Sequence, residues 1–176
     1  MTSKEQAELF DKQEHPVEAA EAYEKAITES GADLETYLNL AVLYFVCTDG
    51  GYLAHHHLSD EFVSRAWERS IELLKDAESK FGWHSEIAFW QHYFPCARLG
   101  EPPFVDECEQ LVKSNTSLVP YFYLFTAYLL ASSSTEKYRK EAQQLLDLVK
   151  DGATEKRRYI LSILEYWLNV TDAPRP

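Results

Sequence analysis

Residues 4–46, KEQAELFDKQEHPVEAAEAYEKAITESGADLETYLNLAVLYFV, contain a repeat with a period of 34 residues. Ala7 recurs as Ala41 and Phe10 recurs as Tyr44, so a small residue and an aromatic residue three positions later return together. A repeat of this period is typical of stacked helical hairpins, because a single hairpin cannot bury its apolar face alone. The stretch therefore predicts an all-α architecture built from repeated units.

Breaker residues divide the stretch into a helical hairpin. Residues 4–13 favour a first helix, and His15-Pro16 interrupts it, since proline suits the first turn of the helix that follows. Residues 16–30 carry an apolar stripe at helical spacing and are followed by Gly31, which is expected to end the second helix. Small side chains let the two helix axes approach closely, and aromatic side chains fill the space beside the crossing.

The small and aromatic residues of this hairpin resemble those of the tetratricopeptide family. The second helix of the family's repeat carries a small-x-x-x-aromatic-x-x-small pattern, which Ala19, Tyr23 and Ala26 match. The next unit opens with residues that suit the family's aromatic, leucine, small and second aromatic positions: Tyr37, Leu40, Ala41 and Tyr44. The resemblance covers residues 4–46, extends with an interruption to residue 82, and beyond that concerns only the hairpin rhythm.

The resemblance implies one tetratricopeptide-like domain over residues 1–176. Its fold would be an all-α, right-handed superhelix of about four hairpins with a C-terminal closing helix, about nine helices in total. An insertion of about ten residues around residues 47–57 delays the second helix of the second unit, which Ser59 is expected to cap. Arrays of such repeats present extended concave surfaces that bind other proteins.

Turn residues and apolar periodicity predict the remaining helices. The predicted ranges are residues 85–99, 105–114, 118–131, 135–150 and 154–170. Ser134 or Thr135, and Thr154, suit the N-caps of the last two. Half of the 24 aromatic residues lie within residues 81–128, so these middle helices, with Trp83 among their aromatic residues, are expected to form buried core.

The chain is acidic, and its charge is uneven. Its 176 residues carry a net charge of −12, and residues 1–80 hold 17 acidic and 7 basic residues. An acidic surface repels nucleic acid and anionic membranes and attracts basic proteins. The compact basic cluster at residues 156–158 is interpreted as a solvated helix start, so no nucleic acid or membrane partner is expected. The N-terminus has no signal-like apolar segment, and a cytoplasmic protein is expected.

No catalytic or cofactor motif occurs in the sequence. It lacks a nucleophile elbow, a Walker loop and a dinucleotide fingerprint, so the chain is expected to have no catalytic residues and no cofactor. Cys47, Cys96 and Cys108 form no C-x-x-C pair and are expected to be buried thiols rather than a disulfide framework or zinc ligands.

A run of three histidines provides an alternative of another class. Imidazole is the commonest metal ligand, so His55, His56 and His57 suggest a metal-dependent hydrolase. Three consecutive residues of regular structure cannot all aim at one ion, however, and neither i, i+4 spacing nor H-E-x-x-H occurs among these histidines. The sequence therefore predicts no metal site.

The interpretation that this leaves is a non-catalytic protein-protein interaction module with an acidic binding surface. First-helix positions line the family's concave face, and the insertion is expected to protrude. The predicted partner-binding residues are Glu8, Asp11, Glu35, Asn39, Tyr52, His55, His56 and His57. The partner is expected to be a basic protein or peptide. An immunity or inhibitor protein that neutralises a basic toxin domain fits this pattern, and so does a scaffold or secretion chaperone.

The last helix is more apolar than a terminal repeat requires. A terminal repeat usually needs a polar outer face, yet nine of the twelve residues from 159 to 170 are apolar. Such a helix has more apolar surface than one neighbour can cover. Two outcomes are expected: the helix folds back into the groove of the superhelix, or it forms a partner or homodimer interface that includes Trp167.

Overall fold

The structure is a computed structural model, and it describes residues 1–29, 31–114, 116–131 and 137–172. Ten α-helices and no strand occur in these ranges, which confirms the predicted all-α fold. The helices are α1 (Ser3–Lys12), α2 (Pro16–Thr28), α3 (Leu34–Cys47), α4 (Gly50–His55), α5 (Asp60–Phe81), α6 (Ser85–Leu99), α7 (Val105–Val112), α8 (Pro120–Leu130), α9 (Arg139–Val149) and α10 (Glu155–Asp172).

Several helix boundaries follow the local signals in the sequence. Pro16 occupies the first turn of α2, and the Ser59 hydroxyl accepts a hydrogen bond from the backbone N–H of Phe62 at 3.2 Å, as an N-cap does. The insertion around residues 47–57 forms the short helix α4, which the sequence did not predict. The predicted N-caps Ser134 and Thr135 lie outside the described residues.

The described residues form two compact units. Unit 1 comprises Met1–Trp83 together with Gly152–Lys156, and unit 2 comprises His84–Asp151 together with the described residues from Arg157 onward. A short piece of the chain that is distant in sequence is thus part of unit 1. The single domain over residues 1–176 stays a prediction.

The core of unit 1 is built from two helix pairs. Helix α1 packs against α2, helix α3 packs against α5, and α2 contacts α3. Ala7, Ala19 and Ala41, three of the small residues that carry the repeat, are fully buried, and the Tyr23 ring is buried with them. Because an alanine has no side chain beyond its Cβ, the helices can approach closely at these positions and the aromatic ring occupies the space beside them.

The core of unit 2 is aromatic. Phe89, Trp90, Phe94, Phe122 and Phe125 are all at most 1% exposed, and the rings of the first four meet in edge-on and tilted arrangements. This confirms the prediction that most of the middle aromatic residues are core.

Two aromatic residues at the start of this region depart from the prediction, and Phe81 is the less exposed of them at 38%. The expectation that Trp83 is core was wrong, since its side chain is 59% exposed. Trp83 lies between α5 and α6, outside both helices, where no neighbouring helix has to cover it.

Two of the three cysteines are buried thiols, as the sequence predicts. Cys47 and Cys108 are fully buried and Cys96 is half-buried, and all three are free thiols. Burial raises the pKa of the Cys108 thiol to about 12, because a thiolate would lose its hydration there. Cys108 is therefore an unreactive core residue.

No helix among the described residues combines the length and the apolar character that crossing a membrane requires.

We expect the close helix approach in unit 1 to make Ala41 intolerant of a larger side chain. Ala41→Leu should lower the free energy of unfolding by about 1–3 kcal/mol, because it adds three heavy atoms to a helix crossing that is already fully packed. Ala54→Leu, at an exposed position of α4, is the matched control and should change it by less than about 0.5 kcal/mol. Urea unfolding followed by circular dichroism measures both, and equal effects would contradict this packing.

Candidate protein-binding surface

A face of unit 1 is formed by side chains from α1, α3 and α4. Glu8 and Asp11 are three residues apart on α1, and Glu35 and Asn39 are four apart on α3, so each pair lies on one side of its helix. Residues 152–156, here called the inserted segment, contact this face through Thr154, Glu155 and Lys156.

Asp11 is the most deeply placed of the predicted residues. Its side chain accepts a hydrogen bond from the backbone N–H of Glu155 at 2.7 Å and another from the Tyr23 hydroxyl at 3.1 Å, and Asp11 is only 1% exposed. A carboxylate this buried is stable only when hydrogen-bond donors replace its water. Burial, followed by the nearby Asp11 carboxylate, raises the pKa of Tyr23, so the hydroxyl keeps its proton and donates a hydrogen bond to Asp11.

Two residues of α3 bind the residues of the inserted segment on either side of Glu155. Lys156 Nζ donates to Glu35 Oε2 at 2.8 Å, and its side chain is 6% exposed whereas that of Glu35 is 44% exposed. The Thr154 hydroxyl donates to Asn39 Oδ1 at 3.4 Å. Since a buried ammonium group needs an opposite charge, Glu35 neutralises Lys156 at the border of the face.

Helix α4, which the insertion at residues 47–57 forms, makes a further contact with the inserted segment. The Tyr52 hydroxyl of α4 donates to Glu155 Oε2 at 3.0 Å, so Glu155 is bound through both its backbone N–H and its side chain. On its other side, the Tyr52 ring lies 4.3 Å from the ring of His56, measured between centroids. Helix α4 is thereby connected both to the inserted segment and to the histidine run.

Four of the eight predicted partner-binding residues thus converge on three consecutive residues of the same chain. Asp11, Glu35, Asn39 and Tyr52 all contact the inserted segment, and Asp11 and Asn39 are buried beneath it. The sequence predicted these four side chains as contacts of a partner, but it did not predict that residues 152–156 contact them. No local pattern indicates it, because the contacts to Asn39 and Asp11 join residues 115 and 144 positions apart.

Acidic side chains form the rim of this face around Lys4. Lys4 Nζ lies 2.6 Å from Asp33 Oδ2 and 3.8 Å from Glu8 Oε1. Burial alone would raise the pKa of Asp33, but hydrogen bonds from Lys4 and Thr36 hold it at about 2. These side chains are largely solvated, so their ion pairs add little to stability, and the rim stays negatively charged.

The three histidines do not act as one group. His55 ends α4, and it lies with His56 and Glu14 in a cluster whose possible ligand atoms are all within 4.8 Å of one another. His57 is exposed and has no place in this cluster. Glu14, in the turn between α1 and α2, was not among the predicted site residues.

Unit 1 also has a groove that the sequence did not predict. Arg69 donates to both carboxylate oxygens of Glu24, at 2.8 and 3.0 Å, and lies 3.3 Å from Glu72 and from Asp76. The groove lies between α2, α3 and α5, and its lining comprises Glu21, Glu24, Tyr44, Phe62, Arg65 and Arg69. Because Arg69 neutralises carboxylates here, the groove is less acidic than the rim around Lys4.

Comparison of the chain with protein-family models, with curated proteins and with solved structures gave no match. The tetratricopeptide resemblance therefore stays a prediction that depends on residues 4–46.

We expect Asp11 to be a structural residue of this face. Asp11→Ala should lower the free energy of unfolding by about 2–3 kcal/mol, because it leaves two buried donors without their charged acceptor. Tyr23→Phe removes one of these donors and should cost about 1 kcal/mol. Hydrogen exchange of the Glu155 amide should become faster in Asp11→Ala, since this N–H loses its acceptor.

The matched control is Glu21→Ala, which removes an exposed carboxylate of α2 and should change stability by less than about 0.5 kcal/mol. An Asp11→Ala variant with wild-type stability and an unchanged Glu155 amide would contradict the role given to Asp11.

Proposed function

We propose that this protein is a non-catalytic protein-binding module whose partner is a basic protein or peptide. The observation that carries the proposal is that Asp11, Glu35, Asn39 and Tyr52 fix the inserted segment on the floor of this face, which leaves the acidic side chains at its rim exposed to a partner. These four side chains bind a backbone N–H, a hydroxyl, a carboxylate and an ammonium group, which are the groups that any polypeptide offers. A face with this chemistry is suited to protein recognition.

The charge of unit 1 supports a basic partner. Residues 1–80 carry 17 acidic and only 7 basic residues, and the side chains of Glu18, Glu21, Glu61, Glu68 and Glu72 are exposed. Such an excess of one sign raises the association rate of oppositely charged proteins and excludes nucleic acid.

Within this proposal the predicted contact residues have two roles. Asp11, Asn39 and Tyr52 hold the inserted segment, while the partner contacts the rim residues. The proposed contacts are the other predicted residues, which are exposed or half-buried and extend the acidic rim around Lys4: Glu8, Glu35, His55, His56 and His57. The proposed partner-binding surface is thus the border of the face, because the inserted segment covers the floor.

Two biological roles are compatible with this chemistry. An immunity or inhibitor protein would cover a basic toxin domain and neutralise it, whereas a scaffold or secretion chaperone would bind a basic segment and release it. We favour neutralisation, because a small and strongly acidic chain complements a basic surface without needing chemistry of its own. The identity of the captured partner separates the two roles.

The proposal is tested by removing charge from the rim. The partner is captured from native lysate on wild-type protein, identified and purified, and its binding to variants is measured by isothermal titration calorimetry. Glu8→Lys with Glu35→Gln should weaken binding at least about tenfold, because like charges then face the partner. Glutamine at position 35 still accepts a hydrogen bond from Lys156 but does not neutralise its charge, so hydrogen exchange of the Glu155 amide is used to verify that the inserted segment stays in place.

The control is Glu107→Lys with Glu101→Gln, which makes the same change in net charge at exposed positions of unit 2 and should weaken binding no more than about twofold. Circular dichroism verifies that both variants keep wild-type helicity. Equal weakening by the two double variants would refute the rim as the binding surface, as would wild-type affinity of the first.

We further propose a homodimer contact on α10. Ile160, Leu164 and Leu168 are buried within the protein, but Tyr166 is 61% exposed and its ring lies 5.0 Å from the ring of Trp167. An exposed tyrosine beside a half-buried tryptophan on one helix suits a self-complementary contact in which each copy supplies the same residues.

Multi-angle light scattering tests the dimer. Wild-type protein should have twice the mass of one chain at micromolar concentration, and Trp167→Glu should be monomeric because a charge replaces the apolar contact. Leu148→Glu, at an exposed position of α9, should stay dimeric. A monomeric wild-type protein would remove this contact from the proposal.

A further inference from the structure

We propose that Glu14, His55 and His56 form a binding site for a divalent transition metal ion, with zinc as its representative. The site concerns residues of unit 1 alone and does not depend on the partner proposed above. Each of the three residues offers one ligand atom, and these atoms lie within 4.8 Å of one another.

The geometry is close to that of a zinc site. Zinc binds nitrogen and oxygen ligands at about 2.0–2.2 Å, so the ligand atoms of a tetrahedral site lie about 3.4 Å apart. The three atoms must therefore approach one another by at most about 1.4 Å from their positions here. Glu14 and His55 are exposed and His56 is half-buried, so rotation of side chains is sufficient and the helices need not move.

The end of α4 explains how adjacent histidines can face one ion. Neighbouring residues within an α-helix point about 100° apart, which separates their side chains. Helix α4 ends at His55, however, and His56 is its cap. The two imidazole rings are consequently 4.8 Å apart between centroids and nearly perpendicular, at 89°. Three consecutive histidines cannot all bind one ion, but two of them can do so together with a carboxylate from another turn.

The third ligand occupies a strained backbone position. Glu14 has a φ of 58°, its N–H donates to the Asp11 carbonyl, and the N–H of His15 donates to the Phe10 carbonyl. This hydrogen-bond pattern ends a helix with a left-handed residue, where glycine is usual. A glutamate here has backbone strain that glycine would avoid, and its carboxylate reaches the histidines of α4.

The end of α4 has the same kind of left-handed residue. His57 has a φ of 53°, and the N–H of Leu58 donates to the Leu53 carbonyl. Glu14 and His57 are two of the three non-glycine residues with positive φ in the described ranges. Strained residues are enriched at ligand-binding sites, so their place beside the cluster supports the assignment.

The donor atoms select the class of metal. Two imidazoles and one carboxylate favour zinc and related transition metals, whereas magnesium and calcium prefer oxygen ligands only. Three protein ligands leave a coordination position for water. The ring of His56 packs against Tyr52, whose hydroxyl is bound by Glu155, and this contact restrains the orientation of the imidazole.

Metal binding would connect the α1–α2 turn to the end of α4. Because Glu14 precedes His55 by 41 positions and His56 by 42, only the folded chain brings the carboxylate to the two histidines. An ion that binds the folded state alone raises the thermal stability of the protein.

Titration of the metal into the whole chain tests the site. Tag-free protein is treated with a chelator, dialysed, and titrated with zinc chloride in a calorimeter, and its melting temperature is measured with and without zinc. We expect one zinc ion per chain, affinity in the micromolar range and a rise of a few degrees in melting temperature. Glu14→Gln, His55→Ala and His56→Ala should each weaken binding at least about tenfold.

His57→Ala is the matched control, because it removes one histidine of the same run but no ligand, and it should change affinity no more than about twofold. Circular dichroism establishes that each variant is folded before titration. The site would be refuted by the absence of saturable zinc binding to folded wild-type protein, or by equal losses in His57→Ala and His56→Ala. A melting temperature that zinc raises equally in wild type and Glu14→Gln would also refute it.

Discussion

The buried carboxylate of Asp11 is the constraint on which unit 1 depends. With 1% exposure it has lost its water, and it needs donors that the surrounding core supplies. Its donors include the Tyr23 hydroxyl on α2 and the backbone N–H of Glu155. Asp11 therefore joins the first helical hairpin to a segment 144 residues further along the chain.

The other contacts of the inserted segment follow from this one. Once the N–H of Glu155 is fixed, its neighbours lie beside α3, where Thr154 donates to Asn39 and Lys156 donates to Glu35. The floor of the face is thereby filled by the chain itself, while acidic side chains remain at its rim. This distinction separates residues that support the surface from residues that are available to a partner, and it explains why an acidic face can coexist with a stable, well-packed unit.

Much of the fold and part of the candidate site could be predicted locally. The repeat of small and aromatic residues indicated helix pairs, and the range 85–99 predicted for α6 agrees with Ser85–Leu99 because turn residues flank it on both sides. Asp11, Glu35 and Asn39 were predicted as partner contacts because first-helix positions line the concave face in the tetratricopeptide family, and Tyr52 was predicted because it lies in the insertion. Helix α4 was missed, since its six residues contain two glycines and too few apolar positions for a periodic pattern.

By itself, the sequence determined that this protein is helical, acidic in its first half and equipped with a polar face, because periodicity, charge and capping act over a few residues. Only the tertiary structure decided what that face holds and which histidines lie together. The binding of Asp11 to Glu155 and the approach of Glu14 to His55 and His56 join distant positions. Such contacts depend on how whole helices pack, and no short stretch of sequence contains that information.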